Sequence, residues 1–191
     1  METLTINENK SDMPENIYTT IMDHLQSKEQ EKRLIGQEKL KVQCSNRDPL
    51  FEPYLLQIMN SICSEDGYIS NKNRNVREFF FDTMIDILDH INSNAITLIL
   101  QDIYKILNHR RWEPQYYGLK CILHLSTNRV NSITRNLQEV IPHVSDLMVS
   151  SKQDISELSD LYEMLVDEAP GAHSNAMNTV WRRADRRLRV T

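Results

Sequence analysis

The residues that could support catalysis or metal binding are sparse in this sequence. Cys121 and His124 lie at i and i+3 of an expected helix, a spacing that can hold two zinc ligands, but two further ligands at close range are missing. Asp82, Asp86 and Asp89 alternate with apolar residues, as on the solvated face of a helix. We therefore interpret Cys121 and His124 as packing residues and the aspartates as an outer helix face, and we expect no metal site.

Catalytic and cofactor-binding patterns are not found either. The remaining histidines fall near expected helix ends or on outward faces, without a serine, cysteine or carboxylate at a spacing typical of a catalytic base. Gly36, Gly67, Gly118 and Gly171 are too far apart to form a Gly-x4-Gly-Lys-Ser/Thr phosphate loop. We expect no catalytic residues, no cofactor and no enzymatic activity.

Two clusters of arginine are the candidate binding sites, because guanidinium groups suit phosphate and carboxylate. The candidates for contact with phosphate or an acidic partner are Arg110, Arg111, Arg182, Arg183, Arg186, Arg187 and Arg189. For the first cluster the alternative is a helix end that favours cations, with Trp112 buried between helices. For the second cluster the alternative is a solvated tail.

The bulk composition limits the functional classes. The net charge is −5, which is poorly suited to coating nucleic acid, yet Trp181–Thr191 holds five arginines against one aspartate and could touch phosphate. The mean hydropathy of −0.51 and the lack of a long apolar run exclude a membrane span. The three cysteines are widely spaced, which indicates reduced thiols. Residues 1–12 are polar and do not resemble an export signal. We expect a cytoplasmic protein.

Apolar residues recur at a constant spacing of 41 residues, which shows how the elements are arranged. The three columns are Ile17, Ile58, Ile99 and Val140; Tyr18, Met59, Leu100 and Ile141; and Ile21, Ile62, Ile103 and Val144. Within one repeat the three column residues, such as Ile17, Tyr18 and Ile21, have the i, i+1, i+4 spacing of a helix face. A period in this range is typical of stacked helical hairpins. With only 4 glycines and 6 prolines, the sequence predicts an all-α solenoid.

The boundaries follow from where this pattern holds. Residues 1–12 are predicted to form a disordered leader, 13–168 the repeat domain and 169–191 a basic C-terminal appendage. The first helix of each hairpin is expected at 14–27, 50–63, 95–107 and 137–149, each with a partner helix behind it. The longest internal connection is expected at 64–75, where Asp66-Gly67 signals a turn.

Local patterns add further predictions. The inner residues of the second helix are predicted to be Leu34, Ile35, Leu40 and Val42. Asn94 is expected to cap the fifth helix, and a break is expected at Ser126–Asn128. Pro142 predicts a kink, or two helices that meet near Asn136.

Several segments carry a family resemblance. They are Phe51–Ile58, Asn92–Ile96, Trp112, and Val140–Met148 followed by Ser151-Lys152. Together with the period, they resemble HEAT repeats, and more closely the N-terminal HEAT region of fungal translation elongation factor 3. The resemblance extends from about Asn16 to Glu168 and implies a right-handed α-solenoid of about four HEAT-like helical hairpins.

The resemblance also carries functional implications. Elongation factor 3 is a ribosome-bound ATPase whose HEAT region contacts the small ribosomal subunit, while its ABC cassettes lie further along. The resemblance therefore implies that this chain is a non-enzymatic scaffold that acts in translation. Its implied partner is a ribosome or a ribosome-associated protein, with rRNA contact through the arginine clusters. The alternative hypothesis is a general protein-interaction adaptor for transport or complex assembly. A third hypothesis is a shortened relative of elongation factor 3 that has lost its role. No membrane partner is expected, and the sequence does not specify an oligomeric state.

Overall fold

The computed structural model describes residues 14–150, and this range is helical without any strand. Its helices are α1 (Pro14–Leu25), α2 (Gln30–Asn46), α3 (Glu52–Cys63), α4 (Arg74–His90), α5 (Ile96–Leu107), α6 (Trp112–Asn128) and α7 (Val130–Ser150). A 3₁₀ turn, Tyr68–Ser70, precedes α4. The predicted leader, the end of the predicted repeat domain and the basic appendage lie outside the described residues.

The chain divides into two compact units, with the boundary after Ile58. In the first unit α1 packs along α2, and the rings of Tyr18 and Tyr54 stack with centroids 5.0 Å apart. In the second unit α4 packs on the 3₁₀ turn and on α6, and α5 packs on α6. Helix α7 lies against both α5 and α6. It therefore contacts both helices of the preceding hairpin, as stacked repeats do.

The three apolar columns form the core, as predicted. Ten of their twelve residues are at most 3% exposed, and the other two, Ile17 and Tyr18 of α1, are half-buried. Helices α1, α3 and α5 match the predicted first helices to within two residues at each end. The period located these helices because each repeat must present the same apolar face to its neighbours.

The predicted inner face of α2 is wrong for three of its four residues. Leu34, Ile35 and Val42 are 50%, 48% and 50% exposed, and only Leu40 is buried. The charged residues of α2 are spread around the helix, so its apolar residues do not form one clear stripe. The apolar pattern was therefore a poor guide to the orientation of this helix.

A glycine fixes the observed orientation of α2. Its buried residues are Gly36, Leu40 and Cys44, at i, i+4 and i+8. A Cβ atom at Gly36 would lie 2.8 Å from Cβ of His24 and 3.0 Å from the backbone nitrogen of Leu25. The missing side chain thus lets α2 approach α1 closely, which offsets the low helix propensity of glycine.

Helix α7 is continuous, so the prediction of two helices meeting near Asn136 is wrong. Pro142 lies inside α7 on its exposed side. The buried side of the helix is formed by Ile133, Leu137, Val140, Ile141, Val144 and Leu147. Because the ring of Pro142 disturbs only the solvated side, the carbonyl that it leaves unpaired can bond water while the apolar side holds the helix together.

Two helix ends also differ from prediction. The connection from α6 to α7 is the single residue Arg129, whereas a break had been expected at Ser126–Asn128. Asn94 does not cap α5, whose N-cap residue is Ala95 in a helical conformation. The observed asparagine cap is Asn73 at the start of α4, where its side chain accepts the N–H of Asn75 at 2.9 Å.

The connection between α3 and α4 is packed against the core. Ile69 is fully buried, and the ring of Tyr68 stacks on that of Phe80 with centroids 4.2 Å apart. A Cβ atom at Gly67 would lie 2.4 Å from the carbonyl oxygen of Ile62. A glycine is therefore required where the chain turns back under α3.

Candidate functional site

Arg110 and Arg111 lie in the turn between α5 and α6 but differ in environment. The guanidinium of Arg111 donates to Glu113 Oε1 at 2.8 Å and to Glu113 Oε2 at 3.3 Å. It also donates to the carbonyl oxygen of Ser70 at 3.0 Å. The hydrogen bonds from Arg111 hold the pKa of the Glu113 carboxyl below its usual range. Arg111 thus ties this turn to the 3₁₀ turn.

The backbone of the same turn is fixed by its neighbours. The N–H of Arg111 donates to His109 Nδ1 at 3.0 Å, and the side-chain amide of Gln115 donates to the carbonyl of His109 at 2.7 Å. Arg110 is exposed, and Trp112 is 64% exposed. Trp112 is therefore not buried between helices, and the turn presents one arginine and one indole ring to solvent.

Further cationic and aromatic side chains continue this surface along α6. Trp112, Tyr116 and Lys120 recur at i, i+4 and i+8, so they share one side of the helix. Lys120 Nζ lies 5.1 Å from the ring centroid of Tyr116 and 5.2 Å from that of Phe81, within range of cation–π attraction. We call Arg110, Trp112, Tyr116 and Lys120 the α6 face.

The charge of the α6 face is positive. Within the part of the chain that the structure describes, neither Arg110 nor Lys120 forms an ion pair. Arg74 of the neighbouring helix α4 is exposed but pairs with Glu78 at 2.7 Å. Two aromatic rings flanked by two cations can bind a phosphate backbone with a stacked base, or an acidic peptide.

Other arginines, which the sequence patterns did not single out, hold the turns inside hairpins. Arg33 and Arg77 are each the fourth residue of their helix, and each donates to carbonyls five and six residues earlier at 2.6–3.0 Å. Gln115, the fourth residue of α6, makes the equivalent bond to a carbonyl six residues earlier. A polar residue at this position of each second helix is the sequence signal that could have revealed this role.

Arg129 has the most contacts of these cations. Its Nη1 atom donates to the carbonyls of Leu88 and Asp89 at 3.1 and 3.0 Å. Its Nη2 atom donates to the carbonyl of Ile91 at 2.8 Å and to Ser93 Oγ at 3.1 Å. The guanidinium therefore satisfies carbonyls at the C-terminal end of α4, where a helix leaves them unpaired and favours a positive charge.

Cys121 and His124 lie in different environments on α6. Cys121 is fully buried, which confirms its packing role. His124 is only partly buried, so its assignment to the core is wrong, and its Nε2 lies 2.6 Å from Asp89 Oδ1. Burial raises the pKa of the Cys121 and Cys63 thiols, so both remain protonated. Within residues 14–150 no three histidine, cysteine or carboxylate side chains are grouped to hold a metal ion.

The second arginine cluster comprises five arginines near the C-terminal end of the sequence. The structure does not describe these residues, which are Arg182, Arg183, Arg186, Arg187 and Arg189.

Within the described range, none of the helices has the length and apolar character needed to cross a membrane.

Comparison with known proteins gives matches to the N-terminal region of elongation factor 3. A family model described as the EF3 N-terminal HEAT repeat matches residues 2–160. Elongation factor 3A of Saccharomyces cerevisiae is 26% identical over 112 residues, which are 58% of this chain and 10% of that protein. Elongation factor 3 of Candida albicans is 23% identical over 149 residues, which are 76% of this chain and 14% of that protein. No solved structure matches.

These matches bear on both the fold and the resemblance. The predicted fold class, all-α and built from HEAT-like hairpins, is confirmed by the family match and by the helices of residues 14–150. The predicted resemblance is confirmed by the same match. The chain spans only 10% and 14% of the length of these two curated relatives.

Proposed function

Because the chain belongs to the family of EF3 N-terminal HEAT repeats, we propose that it is a non-enzymatic scaffold that acts in translation in the cytoplasm. Its partner is a ribosome or a ribosome-associated protein. The observation that supports this proposal is the family match over residues 2–160, together with relatives that are named as elongation factors. A helical repeat array suits this role because it offers extended surfaces for binding rather than a closed catalytic pocket.

The α6 face is the surface that we assign to this contact. Arg110 and Lys120 supply charge for phosphate, and Trp112 and Tyr116 supply rings on which an unpaired base can stack. Arg111 keeps a supporting role in this proposal, because its donors already bind Glu113 and Ser70. The partner at the α6 face is thus rRNA or an acidic segment of a ribosomal protein.

The basic C-terminal cluster is a second contact in this proposal. Five arginines over Trp181–Thr191 can neutralise several phosphates, and each neutralised phosphate steepens the loss of affinity with added salt. Replacement of all five arginines by serine is expected to reduce the salt dependence of ribosome binding. If the variant binds with the same affinity and the same salt slope as the wild type, the tail has no part in the contact.

Co-sedimentation of the purified chain with ribosomal subunits over a salt series tests the main proposal. We expect pelleting with subunits at low salt and progressive release as salt rises. Arg110→Glu and Trp112→Ala are each expected to weaken binding to ribosomal subunits by about tenfold, because each removes one phosphate contact or one stacked base. Both residues are exposed, so the two variants should melt at the same temperature as the wild type.

A matched control separates this surface from general electrostatic attraction. Arg135→Glu makes the same charge change at an exposed arginine of α7, which is not one of the four residues of the α6 face. If Arg110→Glu and Arg135→Glu weaken binding equally, the contact is non-specific. A chain that stays in the supernatant at every salt concentration contradicts the proposed function.

A specific observation favours a second candidate function, that of a general protein-interaction adaptor. Leu34, Ile35 and Val42 leave about half of their surface exposed on α2, a helix of the first unit. Large apolar residues that are exposed on a helix can contribute to a protein contact. Affinity capture that yields one non-ribosomal protein, lost on substitution of Ile35 but kept on substitution of Trp112, favours this candidate over the first.

A further inference from the structure

A groove runs between α1 and α2, both of which belong to the first unit. Its volume is about 330 Å³. It is lined by Asn16, Ile17, Thr20, Lys39, Val42 and Gln43. This volume lies at the lower end of the range for ligand sites, so it fits one or two side chains of a short segment rather than a folded domain.

Two of the six residues that line the groove are apolar, Ile17 of α1 and Val42 of α2. Ile17 is half-buried and Val42 is 50% exposed. Ile35, which is 48% exposed, lies on the same side of α2 as Lys39 and Val42, because the three recur at i, i+4 and i+7. Apolar surface therefore continues from the groove onto α2, and covering it would remove that surface from water.

The rim of the groove carries one positive charge. Lys39 is exposed, and within residues 14–150 it forms no hydrogen bond or ion pair. The side-chain amides of Asn16 and Gln43 belong to the same lining and can pair with a peptide backbone. Among the residues that the structure describes, the lining has no aromatic ring, so it offers no platform for a nucleic-acid base.

We propose that this groove binds a short segment of a partner protein that places an apolar side chain beside an aspartate or glutamate. The apolar side chain enters between Ile17 and Val42, and the carboxylate pairs with Lys39. Charge complementarity favours this occupant, since a basic segment would be repelled by Lys39. The inference does not depend on ribosome binding, because the α6 face lies in the other unit.

The test uses the full chain and an array of 12-residue peptides. The peptides carry leucine or isoleucine next to zero, one, two or three acidic residues, and a matched set carries lysine in place of each acidic residue. One further peptide has the sequence of residues 1–12 of the chain. We expect binding to rise with the number of acidic residues and to be absent for the lysine set. The tightest peptide is then titrated by fluorescence anisotropy against wild type and variants.

Substitutions in the groove should weaken this peptide selectively. Val42→Asp is expected to weaken binding by about tenfold or more, and Lys39→Glu by about fivefold to tenfold for acidic peptides. Lys72→Glu makes the same charge change at an exposed lysine of the second unit and should leave binding unchanged. Both groove residues are exposed, and unchanged melting curves confirm that the variants are folded.

Four outcomes overturn the proposal. One is an array without any binder, and another is a tightest peptide that is unaffected by Val42→Asp. If the tightest binder is a peptide of the chain's own residues 1–12, the occupant is intramolecular. If no peptide binds and the chain self-associates in sedimentation equilibrium in a manner abolished by Val42→Asp, the occupant is a second copy.

Discussion

Replacement of Arg129 by alanine should destabilise the chain more than replacement of any exposed arginine. Arg129 is the only residue between α6 and α7, and its guanidinium donates four hydrogen bonds to the C-terminal end of α4 and the residues just after it. Three of the acceptors are backbone carbonyls, of Leu88, Asp89 and Ile91. The substitution removes these bonds and the positive charge at the end of α4.

The size of the effect follows from these contacts. A hydrogen bond to a charged group contributes about 1.5–3 kcal/mol when buried, but two nitrogens serve all four acceptors here and the side chain is only half-buried. Water can replace part of what is lost. The charge at the helix end adds about 0.3–1 kcal/mol. We expect a loss of about 2–4 kcal/mol in the free energy of unfolding, which lowers Tm by about 5–12 °C in a chain of this size.

Thermal melting followed by circular dichroism measures this loss. Arg129→Lys keeps the charge but not the planar fork of donors, so it should recover less than half of the difference. Arg135→Ala is the matched control, since Arg135 is exposed and forms no hydrogen bond within the described residues, and it should change stability by less than about 0.5 kcal/mol. If Arg129→Ala melts at the same temperature as the wild type and as Arg135→Ala, the hydrogen bonds of Arg129 do not stabilise the chain.

Three further substitutions test the core and the turns. Gly67→Ala should cost about 1–3 kcal/mol, because its Cβ would lie 2.4 Å from the carbonyl oxygen of Ile62, and an unchanged urea midpoint would show that the turn can adjust. Ile103→Ala should cost about 2–5 kcal/mol in the same assay by opening a cavity at a fully buried position, so a smaller loss would contradict the assigned core. Because Arg111 lowers the pKa of Glu113 in the folded chain, the unfolded state binds more protons, and stability should fall as pH decreases from about 5 to about 3. Glu113→Gln should flatten this dependence in urea midpoints measured over that range, and identical pH profiles would argue against the ion pair.

The positions of the helices could be predicted because the repeat signal is long. Any one of the apolar segments could belong to a helix of several lengths, but the same three positions recur in every repeat. Ile62, Ile103 and Val144 are all at most 1% exposed, as equivalent positions in stacked helices must be. Periodicity across repeats therefore identified the buried side of α3 and α5, whereas the local pattern of α2 gave the wrong buried side.

The polar contacts inside the fold could not be predicted from the same signal. Asp102 is 7% exposed and accepts from the side-chain amide of Asn60 at 2.8 Å and from Lys105 Nζ at 2.6 Å. Nothing in the spacing of these residues distinguishes them from a solvated helix face. Whether a charged residue is buried depends on which helix covers it, and that is a property of tertiary packing.

The candidate site was predicted only in part, for a related reason. Arg110 and Arg111 are adjacent and of the same type, yet one is exposed and the other binds Glu113 and Ser70. Lys120 was not singled out because it lies far along α6 from the turn. It joins the α6 face only because a helix brings every fourth residue to the same side, and because Phe81 of α4 packs beneath it.

The proposed binding of this chain of HEAT-like hairpins to the translation machinery can be measured in a translating cell extract. The extract is separated on a sucrose gradient, each fraction is probed for the chain, and the gradient is repeated at high salt. We expect the chain to migrate with ribosomal subunits or ribosomes and to move to the top of the gradient at high salt. A chain that remains at the top of the gradient under both conditions would contradict the proposed binding.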